Sequence, residues 1–232
     1  LMATPGATIA ERIEDLIGAD YATVPSLSYK DLINAAFNEV ADMLSVDILL
    51  KYSKTPGVLQ SNSEWLVEDR KILKVTRVDA DTNGVERECE LVDRARFAEA
   101  GDSGSLYFAT AYSPIYHLDS DNAGAATLKI LPEPGTTQKG RIWYFSYTST
   151  EDLANVTAAT LNTTYCLPSN LIHGIVLKAC INILTSYVSN QVQDEEDTEM
   201  LQLITQQLTG LQASFQAEMG RYVDTQKAVG GE

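Results

Sequence analysis

The chain has 232 residues, 44% of them hydrophobic and 21% charged, with 32 acidic against 17 basic side chains and a formal net charge of −15. That length holds one large domain or two small ones with a real core, and the composition is that of a globular protein rather than a disordered one. The acid excess argues against binding nucleic acid through phosphate neutralisation, which needs clustered Lys and Arg. Three widely spaced cysteines, Cys89, Cys166 and Cys180, indicate neither a disulfide framework nor a zinc site and read as buried thiols.

The acid is concentrated at the two ends: residues 1–50 carry 8 acids and 2 bases, and residues 193–232 carry 8 and 2 again. No apolar run reads as long enough to span a bilayer, and no signal segment precedes the first helix. A soluble protein of the cytoplasm, or of something assembled there, is therefore expected.

In chain order, "ATIAERIEDLIG" places Ile9, Ile13, Leu16 and Ile17 at helical spacing and stops at Gly18. A second helix is predicted from "SYKD", capped by Ser28, with Asp31 in its first turn and an apolar stripe of Ile33, Phe37, Val40 and Leu44. It fades near Lys51, before "KTPG". The middle then reads as strands: "KILKVTRV", "VERECELV", "SLYFAT", "PIYHLD", "ATLKIL" and "RIWYFSYT", separated by Gly, Asp, Asn and Pro clusters. Strands so closely spaced favour antiparallel hairpins.

Helical periodicity returns at Pro168. Leu171, Ile175, Ala179, Ile183 and Tyr187 form one stripe, with Ile172, Val176, Cys180, Leu184 and Val188 beside it, a face wide enough to be buried on most sides. The acidic run "QDEEDTE" opens a last helix in which Leu201, Ile204, Leu208, Leu211, Phe215, Met219 and Tyr222 follow a near-heptad spacing. The predicted fold is α+β: a helical bundle of N- and C-terminal helices with an inserted antiparallel β-domain. The expected divisions are helices over 1–57, the β-rich insertion over 58–150, completing helices over 151–225 and a flexible tail over 226–232.

Two motifs invite function. "DADTNGVERECE" fits the calcium-loop pattern, with Asp79, Asp81, Asn83 and Glu90 at ligand positions. Its flanks read as strands rather than helices, no second loop pairs with it, and Asn83-Gly84 between alternating runs is a strong hairpin signal. The hairpin is the favoured reading and an isolated cation site the alternative. "GDSGS", Gly101 to Ser105, has the look of a protease nucleophile segment, but both histidines, His117 and His173, come after it, and a tight turn accounts for Ser103. No phosphate-binding glycine loop and no HExxH occurs, so neither catalysis nor a cofactor or metal is expected.

The C-terminal half, "LPSNLIHGIVLKACINIL" followed by an acidic link and a long Gln-rich helix, resembles head–tail connector (adaptor) proteins of tailed bacteriophages. Pro168, Leu171, Ile175, Val176 and Ala179 match the family's P-x-x-[LF]-x-x-x-[IVL]-[VL]-x-x-A pattern; Asp194 to Glu199 supply the link, and Phe215 and Tyr222 the aromatics. "YKDLINAAFNEVADML" is similar to the first long helix of such proteins, and "SGSLYFATAYSPIY" with "LKILPEPG" resembles β-insertions of marine-phage virion proteins. The large insertion departs from simple connectors.

The resemblance implies a non-catalytic virion protein of the neck, a homo-oligomeric ring of about a dozen subunits. Its partners would be the portal protein and a tail or second neck protein, with DNA passing through unbound and no membrane involved. It makes Leu201, Leu208, Phe215 and Tyr222 candidate packing residues within or between subunits, and Gln226 to Glu232 a candidate docking tail. A tail terminator, a calcium-dependent binding module on the Asp79–Glu90 loop, and a hydrolase using Ser103 are the rivals.

Overall fold

A computed structural model describes residues 6–18, 28–53, 56–59, 65–79, 84–120, 126–147, 153–191 and 198–229. The fold is α+β, and the chain divides into two compact units. Residues 1–48 with 148–232 make a helical unit, and residues 49–147 make a β-rich one. The crossing points fall at 48/49 and 147/148, rather than at the expected 57/58 and 150/151.

In the helical unit, α1 (Ile9–Ile17) opens with a capping box: Thr8 Oγ1 accepts from the Glu11 amide, and Glu11 Oε2 accepts from the Thr8 amide. Ile9, Ile13 and Ile17 are buried, and Gly18 ends the helix at φ +88°. The second predicted helix is two. The first, α2 (Tyr29–Met43), starts without a side-chain cap from Ser28 and stops where Leu44 turns extended. The Ser45 hydroxyl then accepts from the Ile48 amide and starts α3 (Val46–Tyr52), whose residues from Leu49 on are counted with the β unit. A serine oxygen offers the backbone a local partner that competes with helix continuation.

Beyond residue 148 come a 3-10 turn at Leu153–Asn155, the short α5 (Ala158–Thr163), a second 3-10 turn at Ser169–Leu171, and α6 (Ile172–Gln191). Against the expectation that no run is long enough to span a bilayer, Ser169–Ser189 is long and apolar enough by length and composition. Its two stripes are spent inside the unit. Ile172, Ile175, Val176, Ala179, Cys180, Ile183 and Leu184 are buried, and α6 packs on α1, α2 and α7 (Thr198–Val229), the behaviour of a core helix. Tyr187 and Val188, at its far end, are only half-buried.

The two ends of the chain meet in this unit. The Ile9 amide donates to Val156 O at 2.9 Å, Lys178 pairs with Glu39 at 2.6 Å, and Gln207 Nε2 donates to Leu16 O at 3.1 Å. The Gln207 bond satisfies a carbonyl at the end of α1 that the helix itself cannot. Where a flexible tail was expected from Gln226, α7 continues to Val229; Glu232 lies outside the described residues.

The β unit contains β1 (Gly57–Leu59), β2 (Trp65–Leu66), β3 (Arg70–Val78), β4 (Glu86–Glu88), β5 (Glu90–Leu91), β6 (Ile115–Ser120), β7 (Ala126–Leu131) and β8 (Lys139–Ser146). They form two four-stranded sheets, β1-β8-β3-β4 and β2-β7-β6-β5. The pairings are antiparallel except β5 with β6, which is parallel. The predicted run "VERECELV" is split between the sheets at Cys89, so it pairs with β3 before the cysteine and with β6 after it. A strand that changes sheets makes a corner. Of Val85, Arg87, Cys89 and Leu91, which alternation puts on one side of the run, only Cys89 is therefore buried, while Val85 and Leu91 are exposed and Arg87 is half-buried.

The core between the sheets is Leu59, Val75, Cys89, Leu128, Ile130 and Ile142, with Trp65, Ile72, Tyr116 and Tyr144 at its margin. Arg70 lies against Trp65 (4.6 Å to the ring centroid) and Tyr144 (5.0 Å), clamping β2 to β8. Two elements went unpredicted besides β1 and β2: α5, and α4 (Arg94–Ala100), capped by Asp93 accepting from the Arg96 amide.

Candidate functional site

The acidic motif runs through an antiparallel pair of strands. β3 and β4 pair antiparallel in the register Thr76–Glu88, Arg77–Arg87 and Val78–Glu86, and strands flank the motif where a calcium-binding helix–loop–helix needs helices. Asp81 and Asn83 lie outside the described residues. Asp79 is held by two guanidinium groups, accepting from Arg77 at 2.6 Å and from Arg87. Arg77, buried in β3, also donates to Pro132 O at 2.9 Å and to Gln138 Oε1 at 3.0 Å, so the motif's first acid belongs to a bracket on the β7–β8 connection. Glu90 accepts both amino groups of Arg96, at 3.0 and 3.3 Å. Among the described residues no three metal-ligating side chains converge.

The other glutamates of this run are also matched. Glu86 accepts from Thr76 at 2.7 Å and Arg141 at 3.0 Å, and Glu88 lies 3.4 Å from Lys74. Glu86, Glu88 and Glu90, which alternate along this run, are thus each paired with a cation.

Ser103 lies in the turn that follows α4, where Asp102 Oδ1 accepts from the Gly104 amide and the Ser105 amide donates to Asp102 O. His117 Nδ1 is 3.0 Å from Val92 O and its ring stacks on Phe97, while His173 belongs to the helical unit. The structure assembles no triad around Ser103 among the described residues.

Among the described side chains of α7, Ile204, Leu211, Phe215 and Met219 are buried, and the helix packs on α6. Of the candidate packing residues, Phe215 is buried within its own subunit, while Leu201, Leu208 and Tyr222 are half-buried along the margins of the same seam. From Met200 to Ala217 the helix carries no charged residue, although the chain as a whole is strongly acidic. Its outward residues are Gln, Thr, Ser, Ala and Gly, with Leu203 68% exposed.

The β unit has an exposed feature that sequence reading missed. "SLYFAT" is a run of turns rather than a strand, and it presents Leu106, Tyr107 and Phe108 to solvent. Tyr112, also exposed, carries the Arg87 guanidinium 4.8 Å from its ring centroid. Strand-like composition concealed the loop; the available signal was the "GDSGS" turn immediately before it.

Two of the three thiols are buried and hard to ionise. Burial pushes Cys89 and Cys180 up to about 12, and Cys166, expected to be buried, is half-exposed at φ +55°. No protein-family model matches the chain, and no curated protein matches it.

Proposed function

We propose that this chain is a virion structural protein, a ring-forming head–tail connector (adaptor) between portal and tail that conducts DNA without catalysis. One observation carries the reading: both ends of the chain build a single helical unit around α6, and residues 49–147 form a separate β unit inserted between them. The resemblance rests on the helices from the two ends, with the Pro168-led helix at their centre, and the inserted unit is where the chain departs from simple connectors.

Charge supports the same reading. The helical unit holds 18 of the 32 acidic residues and 5 of the 17 basic ones, a surface that repels phosphates rather than gripping them. A conduit is served by such a surface, because attraction slows passage. The calcium-module reading loses support, since Asp79 and Glu90 already spend their carboxylates on arginines. The partners proposed are further copies of the chain, the portal protein and a tail or second neck protein.

The test is quantitative mass spectrometry of purified phage particles containing this protein, counted against the major capsid protein. About a dozen copies per particle are expected of a cyclic neck ring. About six copies would move the protein toward the tail end, and absence from particles would overturn the reading.

A further inference from the structure

We draw no further inference here: the strongest candidate, the surface patch on the turn-rich run after α4 that presents Leu106, Tyr107, Phe108 and Tyr112 to solvent, is an apolar face, and nothing in the structure shows what covers it.

Discussion

The sulfur of Met219 lies 3.4 Å from the point where a Cβ on Gly174 would stand, so α7 packs on α6 at a position where α6 has no side chain. Glu218 Cγ is 4.0 Å from the same point. A methyl there asks only a small shift of a flexible thioether, and the helix gains from losing a glycine, so Gly174→Ala is expected to be close to neutral. Gly174→Leu must push α7 away and is expected to cost about 1–3 kcal/mol in urea denaturation, the range for overpacking. Equal stability of the Ala and Leu variants would mean that the two helices do not meet at this point.

Phe215 tests the buried seam itself. It is 8% exposed, and Phe215→Ala is expected to cost about 3–5 kcal/mol, as truncation of a buried aromatic does. Leu201→Ala, at a half-buried margin, is expected to cost less than half as much. Denaturant midpoints for the two proteins give the comparison directly, and a loss below about 1 kcal/mol for Phe215→Ala would place its ring at the surface.

A corresponding close approach in the β unit has less slack, because the methyl that must move belongs to Ile130, which is buried. A Cβ on Gly140 would stand 2.5 Å from Ile130 Cδ1 and 3.3 Å from Leu59 Cβ, between the two sheets. Gly140→Ala is expected to destabilise by about 1–3 kcal/mol, the reverse of the usual Gly→Ala gain. Thermal melting of the variant beside wild type decides the sign.

The helices were legible because burial on one side leaves a 3.6-residue trace: Ile9, Ile13 and Ile17 on α1, and the double stripe of α6 as far as Leu184, are buried where the spacing placed them. The break at Leu44 was not, because it depends on the Ser45 hydroxyl and leaves the apolar stripe continuous across it. In the sheets, alternation has period two whichever neighbour a strand pairs with. The change of sheet at Cys89 therefore leaves no mark in "VERECELV". "SLYFAT" has the composition of a strand but no partner strand, and composition cannot report partners. At the candidate site, the hairpin was readable from Asn83-Gly84. That Asp79 would be claimed by Arg77 and Arg87 was not, since the residues from Pro132 to Gln138 that help hold Arg77 are distant in sequence.

Alkaline pH is expected to loosen the fold from within. Burial raises Cys89 and Cys180 from about 9, and Tyr29 from about 10, to about 12 each. Between pH 9 and 12 the unfolded chain has lost the two thiol protons, and above pH 10 that of Tyr29 as well, while the folded chain keeps them. Stability is thus fully present below pH 9 and falls as pH rises toward 12, by about 1.4 kcal/mol per pH unit for each thiol. Urea midpoints measured from pH 8 to 11 should decline, and Cys180→Ala should decline less steeply than wild type. Equal slopes would mean that Cys180 ionises as freely in the folded chain as in the unfolded one.

The bracket around Asp79 separates a structural role from cation binding. Asp79→Ala leaves Arg77, 4% exposed at its side chain, without its carboxylate, although Arg77 keeps Pro132 O and Gln138. Asp79 is itself 31% exposed, so the expected loss is about 2–3 kcal/mol, below the roughly 3–5 kcal/mol of a fully buried broken pair. Asp79→Asn keeps an acceptor for one arginine and is expected to lose less. Added calcium should leave the melting temperature of all three proteins where it was, because the carboxylate that would bind it is already matched by two guanidinium groups. If calcium instead raised the wild-type melting temperature and Asp79→Ala abolished that rise, the arginines would be displaceable partners and the loop a cation site after all.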